Sequence, residues 1–410
     1  MIKSTKSSLK FCNTGKLISV SKFIEEYKSV MSQFIDLIWN EEKISNLLPK
    51  VITSQVTNSW LSARAIQCAG KQASGIIRGT RKKQAQRKYI IDKLVERKEY
   101  KKARKLQAIY DINSISKPKL DNIQPELDSR FVEIDLENKT SFDGWLHLSS
   151  LGDKLNLELP FKKHDHFNKM LSKGKVKSGI RLSKNNITFL FDLEEPKQIE
   201  EGKVIGIDVG QKSILSCSNG QVINYNPHGY NYQRICQELA RKKKGSINFR
   251  KAQTHRTNYI NWSINQLNLK NIKQVNLESI KDLRKGRNTS RSLKHWNYGE
   301  LFDKLEMKLN DAGVQIMKLN PTYTSQRCSS CGWVRKSNRN GKVFKCDKCG
   351  FTADSDLNAS LNLSLYLIIG KQERLLHKNR TGFYWHEVSR ESIVPNTRKT
   401  KSTEKFQYSK

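Results

Sequence analysis

The chain has 410 residues, and 75 Lys and Arg against 39 Asp and Glu give it a formal net charge of +36 at pH 7. A charge of that size destabilises a compact state unless a polyanion neutralises it, so nucleic acid is the leading partner and an anionic membrane surface is the rival. The sequence has no run of about 18 apolar residues and no signal peptide, so it supports neither membrane insertion nor secretion.

The N-terminal quarter has the pattern of amphipathic helices. Apolar residues recur at steps of three and four between Phe23 and Ile38, and helices are expected to continue to about residue 110. Between Arg78 and Arg104, basic residues heavily outnumber acidic ones. This stretch favours a helical surface that follows phosphate groups, and the alternative is a solvated helix face with internal salt bridges.

From about residue 129 the period changes to two, which is typical of β-strands. Val132, Ile134 and Leu136 alternate with charged residues, and turn signals separate several such runs. The pattern predicts a small antiparallel sheet or barrel. The polar segment EEPKQIEEGK, residues 194–203, is interpreted as a linker.

A strand, a tight turn and a second strand are predicted over residues 203–219, where Asp208 interrupts an apolar run. Burying a carboxylate is costly unless it has a partner, so Asp208 is a candidate metal ligand. The alternative is a turn cap or an edge-strand position.

The elements that follow predict an α/β layer arrangement. A third strand, a long helix or helical pair over residues 230–268 and a strand ending in Glu278 are expected in that order. An amphipathic helix closed by Gly313, another strand and a last helix that begins near Asp356 complete the pattern. Asp208, Glu278 and an Asp of the last helix could therefore converge. Such a cluster suits two Mg²⁺ or Mn²⁺ ions, of which one activates a water and the other stabilises a leaving oxygen.

Four of the eight cysteines form two closely spaced pairs, CSSC and CDKC. This spacing is typical of a zinc ribbon, with two disulfides as the alternative. Four thiolates leave no coordination position open, so the site is expected to be structural. The predicted zinc ligands are Cys328, Cys331, Cys346 and Cys349.

The strings IGIDVG, NLESI and NPTYTSQRCSSCG, followed by FKCDKCGFTADSDLNAS, resemble the RuvC-like nuclease core of transposon-encoded TnpB proteins and compact type V CRISPR effectors. The resemblance is specific over residues 203–366. It implies an α/β RNase H-like (RuvC) nuclease domain with an inserted zinc ribbon, preceded by an α-helical recognition domain and a β-barrel wedge domain.

The resemblance also implies a domain order. The predicted boundaries are 1–20 for a first wedge segment, 21–120 for the recognition domain, 121–198 for the wedge barrel, 199–326 for the first part of the nuclease, 327–351 for the zinc ribbon, 352–372 for the last nuclease helix and 373–410 for a basic tail that is disordered in part.

By the same resemblance, Asp208, Glu278 and Asp356 match the catalytic acids and the magnesium ligands of the family. Asp354 is the fallback for Asp356, and Asp282 is a substitute for Glu278. The implied activity is RNA-guided cleavage of DNA phosphodiester bonds by a two-metal mechanism, with guide RNA and double-stranded DNA as partners of a monomeric protein in the bacterial or archaeal cytoplasm.

Three alternatives remain open from the sequence. The first is a compact type V CRISPR effector with the same chemistry. The second, of another class, is a non-cleaving RNA-guided DNA-binding regulator, against which three intact acids argue. The third is an RNase H-type nuclease that works without a guide.

Nucleic-acid contacts are expected from basic side chains and from one aromatic side chain that could stack on bases, although core packing is the alternative for that aromatic residue. The candidates are Arg78, Arg81, Lys82, Lys83, Arg87, Arg241, Lys242, Lys243, Arg250, Trp296 and Arg327.

Overall fold

The computed structural model describes residues 1–46, 48, 50–56, 58–137, 140–149, 155–280, 289–365, 367 and 381–386. The chain divides into two compact units, Met1–Glu195 and Pro196–Lys410. Within the described part, no helix is both long enough and apolar enough to cross a membrane.

The first unit combines five helices with two antiparallel sheets around one hydrophobic core. Its longest helices, α1 and α3, pack on each other, and Asn13 and Ser62 cap their N-termini by accepting hydrogen bonds from backbone amides. The helices are α1 Thr14–Ile38, α2 Lys50–Ser54, α3 Ala63–Glu96, α4 Tyr100–Ile115 and α5 Asp165–Leu171. The strands are β1 Ile2–Ser8, β2 Glu126–Leu127, β3 Val132–Asp135, β4 Gly144–Ser149, β5 Asn156–Phe161, β6 Gly174–Leu182 and β7 Asn186–Leu193.

These strands form a four-stranded sheet in the order β1-β7-β6-β2 and a three-stranded sheet in the order β3-β4-β5. In the described residues the two ladders stay separate and do not close into one barrel. Strand β1 pairs with β7 along its whole length, so the N-terminus belongs to this sheet. Helix α1 begins at Thr14, earlier than the predicted domain boundary after residue 20.

The second unit is built on a five-stranded sheet in the order β10-β9-β8-β11-β12. Strands β8, β9 and β10 form the predicted antiparallel meander, whereas β11 runs parallel to both β8 and β12. Their bounds are β8 Lys203–Asp208, β9 Leu215–Cys217, β10 Val222–Ile223, β11 Ile272–Glu278 and β12 Gln315–Leu319. This order confirms the predicted α/β arrangement.

Helices follow the predicted pattern, including the predicted helical pair with Gly245 between its two members at a positive φ of 85°. Gly313, with φ at 72°, ends the helix before β12 as expected for a C-terminal glycine. The bounds are α6 Tyr232–Arg241, α7 Ile247–Gln266, α8 Arg291–Lys294, α9 Tyr298–Asp311 and α10 Ser355–Ser364.

Short strands near the cysteines form two small sheets, β14-β15-β16 and β13-β17. The predicted disordered tail, residues 373–410, lies outside the described residues except for 381–386. That segment contains β17, which pairs with β13, and the prediction of partial disorder for the rest of the tail stays a prediction. The bounds are β13 Trp333–Val334, a 3₁₀ turn Lys336–Asn338, β14 Arg339–Asn340, β15 Val343–Lys345, β16 Thr352–Asp354 and β17 Phe383–Tyr384.

Candidate active site

Two of the three predicted acids end neighbouring strands. Strands β8 and β11 are parallel, with Ile207 opposite Leu277, so Asp208 and Glu278 follow side by side at the C-terminal edge of the sheet. Alternation along a strand places both on the same face. The sequence prediction that Asp208 and Glu278 come together is confirmed in its geometry.

Helix α10 supplies the third acid. It packs across β8, and Asp356 in its first turn is only 6% exposed. Asp354, the fallback, plays a different part, because its carboxylate accepts hydrogen bonds from the amides of Asp356 and Leu357, at 2.9 and 3.3 Å. Asp354 is therefore the N-cap of α10, and Asp356 is the acid at the site. The substitute for Glu278, Asp282, lies outside the described residues.

A glycine allows α10 to lie this close to the sheet. A Cβ added to Gly206 in β8 would be 2.1 Å from the carbonyl oxygen of Ser360 and 2.6 Å from Cβ of Leu363. On the next strand, Asn276 donates a 2.7 Å hydrogen bond to the carbonyl oxygen of Leu363. These contacts fix the height of α10, and with it Asp356, above the strand ends.

The electrostatics show that the three acids act on one another. Burial, and then the nearby carboxylates of Glu278 and Asp356, raise the pKa of Asp208 well above its usual range, whereas Arg339 and Lys342 oppose the shift. Burial also raises the pKa of Glu278, although its Oε1 accepts a 2.8 Å hydrogen bond from Thr324 Oγ1. Mutually repelling carboxylates with hard oxygen donors are the ligand set that Mg²⁺ or Mn²⁺ favours.

Among the described residues, the four cysteines are the one His, Cys, Asp and Glu group whose ligand atoms all lie within 4.8 Å of one another. The Sγ atoms of Cys328 and Cys349 are 3.7 Å apart, as are those of Cys331 and Cys346. Neither separation is a disulfide bond. Both match the edge of a tetrahedron with metal–sulfur bonds of about 2.3 Å, so the cluster could hold zinc.

Each cysteine pair lies in a turn that requires a glycine. Gly332 and Gly350 adopt φ values of 79° and 73°, which residues with a side chain rarely adopt. The amide of Phe351 lowers the pKa of Cys349 to about 7, which favours the thiolate form that binds metal. We call residues 327–354, which contain these turns and strands β13 to β16, the ribbon.

The ribbon brings two cations to the acids. Lys342 Nζ contacts Asp356 Oδ2, and Nη2 of Arg339 lies 3.6 Å from Asp356 Oδ1. Neither of them was singled out from the sequence. Their place beside Asp356 depends on how the hairpin packs, and no sequence pattern signals it. Thr324 was likewise missed, although it lies in the family-like string NPTYTSQRC.

Arg327 was predicted to approach nucleic acid, and the structure does not support this. Its side chain is buried at 4% exposure. It donates hydrogen bonds to the carbonyl oxygen of Trp385 at 2.7 Å and to Asn362 Oδ1 at 2.6 Å. Asn358 and Asn362 in turn donate to the carbonyl oxygen of Arg327. Arg327 therefore joins the ribbon to α10 rather than facing a ligand.

Trp296 is also placed differently from the stacking prediction. It is 6% exposed and packs in the core of the second unit, which was the alternative. Its ring lies 5.8 Å from that of Tyr298. Burial in the core removes the indole face from any base.

The remaining basic candidates differ in exposure and in how many of their hydrogen-bond donors are free to contact nucleic acid. Arg81 donates to the carbonyl oxygens of Trp39 and Glu42, and Arg78 donates to that of Ser74, so part of their donor capacity serves the helices. Arg87 is half-buried on α3. The exposed candidates are Lys82, Lys83, Arg241, Lys242, Lys243 and Arg250.

Parts of the sequence are similar to known proteins. Residues 298–363 match the family described as Cas12f1-like, TNB domain. The chain is 38% identical over 139 residues to the CRISPR-associated endodeoxyribonuclease Cas12f1 of Sulfoacidibacillus thermotolerans. This alignment covers 33% of this chain and 32% of that protein. It is 27% identical over 193 residues to InsQ of Escherichia coli, a protein named as a candidate RNA-guided DNA endonuclease, with coverage of 39% and 48%. It is 35% identical over 81 residues to the TnpB-like protein MJ0751 of Methanocaldococcus jannaschii, with coverage of 20% and 28%.

The chain is therefore similar to Cas12f1 and to TnpB-like proteins over part of its length. In these alignments it spans less than half the length of each relative. The matched TNB segment contains the four cysteines, both ribbon cations and Asp356. Asp208 and Glu278 precede the matched segment in the sequence, and the fold places them close to Asp356, which the segment contains.

Proposed function

We propose that this chain is an RNA-guided DNA endonuclease of the TnpB type, with a RuvC-like, RNase H-like nuclease domain. The observation that carries the proposal is the meeting of Asp208, Glu278 and Asp356 at one strand edge. Three acids on two parallel strands and one helix offer ligands from separate directions, as a site that cuts a phosphodiester bond requires.

The same three residues would hold Mg²⁺ or Mn²⁺. Bound divalent ions supply activation of water and stabilisation of the leaving oxygen in an in-line displacement. The protein's own part is to orient the ligands: Thr324 fixes the Glu278 carboxylate, and the Asp354 cap fixes the first turn that carries Asp356. The four ribbon thiolates would hold a structural zinc, because they leave no position for substrate.

The partners we propose are a guide RNA and a double-stranded DNA target. The net charge of +36 supports binding of a large polyanion. The exposed lysines of α3, Lys82 and Lys83, and the exposed basic block Arg241–Lys243 are the positions we assign to backbone phosphates. The names of the relatives Cas12f1 and InsQ support DNA cleavage, and that of InsQ supports RNA guidance.

RNA that co-purifies with the full chain tests the guided activity. We expect one abundant species with a constant scaffold and a variable end, and Mg²⁺-dependent cleavage of duplexes that match the variable end. Removal of this RNA should abolish cleavage, and adding it back should restore it. A preparation that cuts equally well without RNA would contradict guidance. A CRISPR array beside the gene, in place of transposon ends, would favour the type V alternative.

Gly206→Ala tests whether the height of α10 matters. The new Cβ would collide with the backbone at Ser360, and overpacking of this kind costs about 1–3 kcal/mol in the free energy of unfolding. Displacement of Asp356 by about 1 Å should slow DNA cleavage about 100-fold. Gly299→Ala is the matched control, because a Cβ there meets nothing within 4 Å, and it should cleave at the wild-type rate. Wild-type cleavage by Gly206→Ala would show that the close approach is dispensable.

A further inference from the structure

The carboxylate of Asp356 is enclosed by groups that do not come from the nuclease sheet alone. Lys342 Nζ contacts Asp356 Oδ2 and lies 3.1 Å from Ser213 Oγ in the loop between β8 and β9. Arg339 Nη2 lies 3.6 Å from the other oxygen, Oδ1. The side chain of Asp356 is only 8% exposed, and each of its two oxygens lies beside one of these cations.

The hairpin that presents Lys342 is tied down next to the acid. The amide of Ser355 donates a 2.8 Å hydrogen bond to the carbonyl oxygen of Lys342, and Ser355 Oγ donates at 3.0 Å to that of Gly341. Gly341 adopts a φ of 60° at the turn. The backbone of Lys342 is therefore fixed at the N-terminus of α10, while its four-carbon side chain can still rotate away from Asp356.

An ammonium group and a divalent ion cannot both take the same carboxylate oxygen. Like charges repel one another at such a short separation, and a doubly charged ion repels the ammonium group more strongly than a singly charged one. Entry of a metal ion at Asp356 therefore requires Lys342 Nζ to leave Oδ2. Ser213 Oγ, which already accepts a 3.1 Å hydrogen bond from Nζ, can keep the ammonium group as a partner when it leaves Asp356.

We propose that Lys342 is the resident counter-cation of Asp356 and competes with divalent ions for it. In the metal-free protein, the ammonium group balances the charge of Asp356 beside Asp208 and Glu278. When metal enters, the ammonium group withdraws from Asp356 Oδ2. The ribbon thus sets the metal concentration at which the site fills. This inference rests on the metal site of the proposed function.

Mn²⁺ binding to the full chain, stripped of nucleic acid, tests the competition. Titration at constant ionic strength and pH, with free Mn²⁺ followed by electron paramagnetic resonance, should give Lys342→Gln a dissociation constant about five- to tenfold below that of wild type. Lys342→Arg keeps the charge and should bind as wild type does. Lys345→Gln is the matched control, because it removes one exposed lysine of the same ribbon, and it should change the constant less than about twofold.

The outcomes separate the two proposals. Unchanged or weaker Mn²⁺ binding by Lys342→Gln would overturn the competition while leaving the metal site intact. The metal site is identified by Asp208→Asn, which should abolish the same binding. If wild type shows no Asp208-dependent Mn²⁺ binding, both the metal site and the competition fail.

A second readout uses the wild-type protein and does not depend on whether a variant folds. Acylation of lysines, measured by mass spectrometry with and without Mn²⁺, reports how accessible each ammonium group is. Mn²⁺ should increase modification of Lys342 several-fold and leave Lys345 unchanged. Equal or lower modification of Lys342 with Mn²⁺ would mean that its ammonium group stays in place, and would overturn the inference.

Discussion

Asp208→Asn protein should bind guide RNA and target DNA but cut the target at least about 1,000-fold more slowly than wild type. The amide cannot replace a carboxylate ligand between Glu278 and Asp356, and all other contacts of the strand remain. Single-turnover cleavage with excess ribonucleoprotein measures the rate, and filter binding with the same duplex measures retention of the target.

The same substitution should raise stability in the absence of metal. Because the pKa of Asp208 is raised in the folded state, ionisation of Asp208 costs folding free energy once the pH exceeds the usual range of an aspartate. A neutral amide removes that cost, so the melting temperature without divalent ions should rise by a few degrees at pH 7 to 8. The gain should vanish as the pH falls towards about 4, where the carboxyl is protonated in both states.

Asp354→Asn is the control for this prediction. Asparagine caps a helix about as well as aspartate, so the first turn of α10 should remain and cleavage should stay near the wild-type rate. If Asp354→Asn abolished cleavage while Asp208→Asn or Asp356→Asn retained it, the assignment of the acids would be wrong. Glu278 and its substitute Asp282 are compared in the same way. Glu278→Gln should slow cleavage strongly, and Asp282→Asn should leave it near the wild-type rate.

Cys346→Ala should remove zinc and abolish DNA cleavage. The buried core of the ribbon consists of Cys328, Phe344 and Cys346, which is too little to hold it folded. A structural zinc contributes about 10–16 kcal/mol to a module of this kind. Without zinc, α10 loses the hydrogen bonds that join Ser355 and Asn362 to the ribbon, so Asp356 should move and the cleavage rate should fall at least about 100-fold.

Zinc content and cleavage should be measured on the same preparations. Cys236→Ala is the matched control, since Cys236 is a buried thiol on α6 outside the cluster, and it should keep zinc and most of the activity. Guide-RNA binding should persist in both variants if the basic helices of the first unit carry it. Full cleavage by zinc-free Cys346→Ala protein would show that the ribbon does not position the acid.

The sequence was sufficient to predict that two of the acids lie close together and that the four cysteines cluster, because local rules place them. Asp208 and Glu278 each end a strand, and parallel neighbouring strands bring such ends together. The spacing of the cysteine pairs is set by the bite of a tetrahedral ion. Gly206, by contrast, looks like any glycine in a strand until the backbone of Ser360 is seen beside it.

The errors have a common physical origin. Arg327 and Trp296 were assigned to nucleic acid from residue type, but both lie where the folded chain needs buried contacts. The guanidinium group of Arg327 donates hydrogen bonds to the carbonyl oxygen of Trp385 and the side-chain amide oxygen of Asn362, which are distant in sequence. No local sequence pattern reveals such partners. Lys342 and Arg339 were not singled out from the sequence, because the fold of the hairpin decides which cations lie beside Asp356.

The segment that contains β17 has a practical meaning for shortening the protein. Trp385 accepts the Nε hydrogen bond of Arg327, and its amide donates to the carbonyl oxygen of Gly332 at 2.9 Å. Deletions from the C-terminus that stop after residue 386 leave these bonds in place. Deletions that reach residue 381 would remove Trp385, which accepts a hydrogen bond from the buried guanidinium group of Arg327. Because Arg327 also binds Asn362 on α10, such a deletion would disturb the position of Asp356 on the same helix.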